Sequence, residues 1–190
     1  MLKELLLRNR SYRRFEQKPV MSLEDLKDLV TAARLSPSAR NDQPVKFILL
    51  HSRKACDSIF PCCSWAGYLK GWKGPAEDER PTSYIIVLGD TQISGKVRYR
   101  RRDHVPEHAA HGRGKGYGGC MLGSIDRDVI RRSFAISDRY IIRYVLALGK
   151  PSEKAVVEAM ENGDTHYYRD ERDVHHVPKR GLRELIVGIH

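Results

Sequence analysis

The sequence predicts a mixed α and β fold packed around one core. Leu23, Leu26, Leu29, Val30 and Ala33 recur at the spacing of a helix with one apolar stripe. Three short apolar runs, Val45 to Leu50, Tyr84 to Leu88 and Tyr140 to Leu148, have the length and side-chain types of buried strands. No internal repeat or linker divides the 190 residues, so one domain over residues 1–190 is expected, long enough to bury a sizeable core.

The elements follow in order. Leu2, Leu5, Leu6 and Leu7 make an opening helix that breaks near Asn9. The second helix starts at Ser22, whose hydroxyl is placed to cap it, with Asp25 three residues on in the pattern of a capping box. It stops at Ser36-Pro37, because proline disfavours helical backbone in the residue before it. Val45 to Leu50 is the first strand and Arg53 to Phe60 a short helix. The stretch from Lys70 to Thr82 contains Gly71, Gly74, Pro75 and Pro81 with Glu77, Asp78 and Glu79, the composition of a mobile surface loop. Tyr84 to Leu88 and Tyr140 to Leu148 follow as strands, and Leu182 to Val187 as a last short helix.

Composition bounds the function class. The chain start lacks the long apolar region and small-residue cleavage site of a secretory signal, and no apolar run is long enough to span a bilayer. A cytoplasmic location and no membrane partner are expected. Cys56, Cys62, Cys63 and Cys120 include an adjacent pair but no CxxC, so neither a disulfide framework nor a zinc site is implied. Reduced thiols are the simpler reading, and a vicinal Cys62-Cys63 redox couple is the alternative.

The most informative stretch is the N-terminal RNRSYRRF, Arg8 to Phe15, one amphipathic helix upstream of the polar loop SPSARNDQP, Ser36 to Pro44. Arg10, Ser11, Arg13 and Arg14 offer guanidinium forks and a hydroxyl, the donors that a phosphate dianion takes in charge-assisted hydrogen bonds. Ser38, Asn41 and Gln43 offer short neutral donors and acceptors, which suit a polar heterocycle or a sugar chain better than a second phosphate. The pairing points to a phosphorylated cofactor with a hydrogen-bonding ring.

These two blocks, the glycine pair in KGYGGCMLGSIDR (Lys115 to Arg127), and VLALGKP (Val145 to Pro151) leading to HHVPKRGLREL (His175 to Leu185) stand in an order that resembles the nitroreductase family of FMN-dependent oxidoreductases. The resemblance implies a layered α+β sandwich, with a mixed, mainly antiparallel sheet flanked by helices. It also implies an intertwined homodimer with two FMN sites at its interface, each drawing residues from both subunits. Carried over by position, Arg10 and Arg13 grip the FMN phosphate or ribityl chain, with Ser11 and the Tyr12 backbone beside them. Asn9 stands where many relatives have a first arginine. Lys179 or Arg180 resembles the basic residue that closes over the same phosphate. Pro37, Ser38, Ala39 and Asn41 match the loop laid across the flavin ring, closed by Gln43-Pro44, and Gly118-Gly119 matches a pair whose missing side chains admit a close backbone approach.

The reaction this resemblance implies is a ping-pong transfer of electrons from NADH or NADPH, through FMN, to a nitroaromatic, a quinone or a similar small acceptor. No side-chain general acid or base is assigned, because the cofactor carries the chemistry and the protein positions it. Trp65, Tyr68 and Trp72 lie where relatives carry a variable lid, and either stack on an aromatic acceptor or pack in the core. The rival class is a protein of this fold without turnover, acting as a flavin-binding or nucleic-acid-binding module.

One segment departs from the family pattern. From Lys96 to Lys115, seven basic residues stand against Asp103 and Glu107, a net +5 that is half of the chain's formal +10. Pro106 and the scarcity of apolar residues exclude a buried core helix there. Three readings compete: a basic arm for nucleic acid; a metal site built from His104, His108 and His111; or an out-of-frame translation of an apolar helix. Nucleic acid is the less favoured partner, because outside this stretch part of the excess charge belongs to the proposed phosphate cradle.

Overall fold

The computed structural model describes residues 2–36, 39–93 and 116–189. Its centre is strand β3 (Ser83–Asp90), which is buried along its whole length. An all-apolar stretch such as Tyr84 to Leu88 is what a strand covered on both faces requires. The long strand β5 (Tyr140–Pro151) lies antiparallel on one side of β3, and β2 (Val45–Leu50) lies antiparallel on the other. β5 also takes β4 (Gly118–Leu122) and, at its C-terminal end, the two-residue β1 (Phe15–Glu16), both antiparallel, completing a five-stranded sheet.

Helices cover both faces, so the fold is a layered α+β sandwich. Helix α1 is Leu2–Arg8, and α2 (Leu23–Leu35) follows a cis Lys18-Pro19 bond. The cap expected for α2 is present: the Ser22 hydroxyl accepts from the Asp25 N–H at 3.1 Å, and the Ser22 N–H donates to the Asp25 carboxylate at 2.9 Å. Leu26 and Leu29 of α2, with Met21, pack on Ile85, Val87, Leu146 and Leu148. On the opposite face, α3 (Arg53–Ile59) and α4 (Arg127–Ser133) supply Cys56, Ile59 and Ile130 to a second cluster around Tyr84, Ile86, Leu88, Val145 and Ala147. Full burial of each Leu or Ile stabilises by about 1.5–3 kcal/mol, so the alternation along β3 fixes which helix lies on which face.

A second sheet of three strands lies beyond β5. β6 (Ala155–Ala159) runs parallel to β8 (His175–Lys179), and the two-residue β7 (Tyr168–Arg169) pairs antiparallel on the other side of β8. The last helix, α5 (Leu182–Leu185), is shorter than the expected Leu182 to Val187. The expected surface loop at Lys70 to Thr82 is anchored at several points. Arg80 lies 4.2 Å over the Phe60 ring, Arg169 lies 4.5 Å over Trp72, and Arg14 pairs with Glu79 at 3.2 Å. Among the described residues, no helix is long and apolar enough to cross a membrane.

Candidate functional site

The N-terminal motif crosses the end of β4 and β5. Ser11 forms a bridge with Gly119, and the Tyr12 N–H donates to the Gly119 carbonyl at 3.0 Å. Gly118 is needed for this approach, and Gly119 for the close pairing of β4 with β5. A Cβ on Gly118 would lie 2.7 Å from the Tyr12 ring and 2.8 Å from Pro151, and one on Gly119 would lie 2.7 Å from the Ala147 carbonyl oxygen. In this chain the room left by Gly118 is therefore taken by Tyr12, whose hydroxyl donates to the Arg8 carbonyl at 2.9 Å. The motif and the glycine pair, far apart in sequence, form one surface.

Glu153, just after β5, fixes the turn. Its carboxylate accepts from the Arg13 backbone N–H, from the Arg14 N–H at 3.2 Å and from the Arg169 guanidinium at 2.8 Å. The Arg13 side chain is then directed inward, where only 7% of the residue is exposed. It donates to the Ser11 carbonyl at 3.2 Å, lies 3.1 Å from His175 Nε2, and covers the Tyr167 ring at 4.7 Å. Burial, with the Arg13 charge beside it, pushes the His175 imidazole down to about 4.

Strand periodicity places the remaining wall. Residues two apart on a strand share a face, so His175, Val177 and Lys179 of β8 all line the same cavity as Asn9, Arg10, Ser11, Arg13 and Tyr167. Its volume is about 270 Å³, and none of its lining residues is acidic. The contrast is a cavity on the other side of the small sheet, which is lined by Glu158, Glu161 and Asp164. A cleft with three cationic side chains and no carboxylate concentrates anions.

The structure thus brings together Arg10, Ser11, Arg13 and Lys179, with Tyr12, Gly118 and Gly119 behind them. It turns two basic residues elsewhere. Arg14 pairs with Asp173 and Glu79, and Arg180 pairs with Glu184 one helical turn on at 2.9 Å. Pro37 and Ser38 lie outside the described residues, as does the whole basic stretch with His104, His108 and His111. Sequence reasoning missed Glu153, Tyr167, Arg169 and His175. The alternating His-x-Val-x-Lys of β8 was the available signal, obscured by Pro178.

The loop Ala39, Asn41 and Gln43 does not join this cavity within one chain. Arg40, Asn41 and Gln43 adopt left-handed backbone at φ 59°, 53° and 49°, and the Asp90 N–H donates to the Pro44 carbonyl at 2.7 Å. That anchors the loop at the Asp90 end of β3. The arginine motif sits at the opposite end, because Gly119 pairs with Leu148 and Leu148 pairs with Ser83. Eight residues of strand separate the two, about 23 Å at roughly 3.3 Å per step. Gln43 instead borders an open groove of about 390 Å³ along the edge strand β2 and helix α2, walled by Val30, Ala33, Phe47 and Leu49.

The aromatic trio divides. Trp65 is buried in the core against Phe60, with Gly74 leaving room for its ring. Trp72 lies beneath Arg169, whereas Tyr68 is exposed beside His166 and Tyr167, at ring separations of 4.3 and 5.0 Å. The cysteines are free thiols, and burial pushes Cys56 up to about 11 and Cys63 up to about 12. Neither is an activated thiolate. Among the described residues, no group of three His, Cys, Asp or Glu side chains could hold a metal ion.

Comparison with known proteins adds an independent line. The model of the nitroreductase family matches residues 6–68, the segment that holds the arginine motif, α2 and the polar loop. Three solved structures share the fold. A provisionally assigned nitroreductase of Bacillus subtilis is 14% identical, with 99% of this chain and 98% of that chain covered and a TM-score of 0.67. A provisionally assigned NADH dehydrogenase/NAD(P)H nitroreductase of Parabacteroides distasonis is 21% identical, with 89% and 96% covered and a TM-score of 0.64. A provisionally assigned nitroreductase of Exiguobacterium sibiricum, solved in complex with FMN, is 20% identical, with 80% and 89% covered and a TM-score of 0.62. No curated protein sequence matches the chain. The chain has the nitroreductase fold, and its N-terminal sequence resembles that family.

Proposed function

We propose that this chain is a flavin-dependent oxidoreductase of the nitroreductase family, cytoplasmic and active as a homodimer. The observation that carries the reading is the carboxylate-free cationic cavity where Arg10, Ser11, Arg13 and Lys179 converge. Its donor set fits the phosphate end of FMN, since two guanidinium groups, an ammonium and a hydroxyl can satisfy several phosphate oxygens at once. Its volume of about 270 Å³ lies under the roughly 300–1,000 Å³ of whole-ligand pockets, so it fits the nucleotide tail and leaves the ring to another surface.

A second copy of the chain supplies that surface in this reading. Asn41 and Gln43 are too far along β3 to reach a ring beside Gly118 and Gly119 of the same chain. An isologous dimer places one copy's polar loop against the other copy's cavity, and does so twice. Apolar surface supports such an interface: the groove at Val30, Phe47 and Leu49, and the chain end, where Leu182, Val187 and Ile189 are each more than two-thirds exposed.

Bound flavin supplies reversible two-electron chemistry, accepting hydride from NADH or NADPH and returning electrons to an acceptor such as a nitroaromatic or quinone. The chain's own part is positional. Arg10, Arg13 and Lys179 would hold the phosphate, Gly118 and Gly119 keep β4 free of side chains facing β5, and Asn41 and Gln43 of the other copy would contact the ring. Reductant and acceptor would take turns at one site, and the proton that accompanies each hydride into the acceptor would come from solvent, so no side-chain acid or base is assigned.

The test is spectroscopic. Purified full-length protein, or protein incubated with FMN, is expected to carry flavin absorbance that bleaches anaerobically on addition of NADH or NADPH and returns with a quinone. Colourless protein that takes up no FMN refutes the reading. If such protein is instead retained on DNA in a salt-sensitive way, it is a binding module of this fold without turnover.

A further inference from the structure

We infer that His175 is a positioning residue for the phosphate end of the site: by accepting a hydrogen bond from Arg13, it orients that guanidinium so that the site prefers a phosphorylated flavin to an unphosphorylated one. The inference rests on the flavin reading above and adds a residue and a specificity to it.

The protonation state follows from the partner. A guanidinium offers only donors, so the His175 nitrogen 3.1 Å from Arg13 Nη1 must be an acceptor. Nε2 therefore carries no proton, and the ring is the neutral tautomer with its hydrogen on Nδ1. The surroundings hold it neutral. The residue is 1% exposed, Arg13 stands against it from the N-terminal segment, Arg169 from β7, and His176 follows it on β8. Glu153 is the one carboxylate among these neighbours favouring the charged ring, and burial with the cations outweighs it. Nδ1 is itself buried without a hydrogen-bond partner, so the ring has no second hydrogen bond that would draw it from Arg13.

The mounting is rigid. β8 is the middle strand of the small sheet, and the His175 N–H donates to the Lys154 carbonyl at 2.8 Å. The Tyr167 ring lies 5.2 Å from the imidazole and also beneath the Arg13 guanidinium. Arg13 is thus held by the Ser11 carbonyl, the Tyr167 face and His175, three partners of which none is anionic.

The choice of an imidazole has a physical consequence. A buried arginine is usually paired with a carboxylate, and Glu153 already touches the Arg13 backbone. Its oxygens are instead committed to the Arg13 and Arg14 backbone N–H groups and to Arg169. A carboxylate on the Arg13 guanidinium would orient it but cancel the charge that attracts phosphate. A neutral imidazole orients it and leaves the charge whole.

The experiment compares FMN with riboflavin, which differ only in the phosphate, by fluorescence titration of the full-length protein. Wild-type protein is expected to bind FMN more tightly. His175→Glu and His175→Gln have the same shape and differ in charge. Gln is expected to keep FMN affinity within about threefold of wild type, whereas Glu lowers it by at least about tenfold, the scale of one charge-assisted hydrogen bond. Riboflavin affinity stays within about twofold in both. His175→Ala is expected to lose FMN affinity alone, and if it fails to fold the Gln and Glu pair decides. Equal loss of both ligands assigns His175 a merely structural role, and FMN binding by His175→Glu at the wild-type level overturns the inference. Wild-type protein that binds neither ligand refutes the flavin reading itself.

Discussion

If each flavin site is split between two copies, damage to one half in one subunit and to the other half in its partner must complement. Arg10→Ala with Lys179→Ala removes two phosphate-binding side chains while leaving buried Arg13 in place. Asn41→Gly with Gln43→Gly removes two amide side chains while keeping the left-handed backbone that both positions adopt, since glycine enters that region freely. The first variant gives up two hydrogen bonds to a charged group, each about 1.5–3 kcal/mol, so it should bind FMN at least about a hundredfold more weakly. Both lesions lie about 23 Å apart in one chain and so cannot share a single-chain site. Co-refolding equal amounts gives one-half heterodimers, each with one intact site and one doubly damaged site. Flavin content should then rise to about a quarter of wild type. The assay is FMN stoichiometry by absorbance after gel filtration, with the unmixed parents alongside. No recovery on mixing, with dimers formed, would refute the split site. So would full recovery, because half of the mixed dimers are still homodimers of a damaged parent.

Two further outcomes follow from packing and charge. Gly119→Ala puts a Cβ 2.7 Å from the Ala147 carbonyl oxygen, which is backbone and cannot rotate away; a loss of about 1–3 kcal/mol is expected in denaturant unfolding, and an unchanged midpoint would contradict the close approach. His176 lies 2.6 Å from Glu158 and 3.3 Å from Asp170, and these carboxylates raise its pKa above the ordinary value of about 6.5. A raised folded-state value means that the stabilisation is complete below about pH 6.5 and is lost as pH rises through the folded-state pKa. Denaturant unfolding from about pH 6 to about pH 9 should show this decline, and His176→Gln should flatten it; an identical slope in the variant would rule it out.

How much of this was legible in the sequence depends on where each signal resides. Helix α2 was legible because its information is local: a hydroxyl and a carboxylate three residues apart, then apolar residues at helical spacing. β3 and β5 were legible because strands buried on both faces become apolar runs, and β2, a partly buried edge strand, because Val45 to Leu50 is apolar but for Lys46. β4 was not, because Gly118 and Gly119 have little strand preference of their own and are strand only through pairing with Gly149 and Leu148. β8 was not, because His175-His176-Val177-Pro178-Lys179 is polar and contains a proline. It holds through parallel pairing to β6 and a short antiparallel contact to β7.

The same division runs through the candidate site, and there it decides function. The N-terminal arginines were visible as a cluster, but a cluster does not say which member is available to a ligand. Arg14 and Arg169 are neutralised by Asp173, Glu79 and Glu153, and Arg180 by Glu184. Among the described residues, no acidic side chain pairs with the side chains of Arg10, Arg13 or Lys179. That sorting is made by contacts 140 and 162 positions apart in the chain, Glu153 to the Arg13 backbone and His175 to its guanidinium, and no local pattern encodes it. Glu153 takes the backbone donors and the structural arginine, His175 takes the functional one without cancelling it, and the cavity is left cationic. The charge that the motif advertises therefore survives folding only because the acidic residue nearest to it is already occupied.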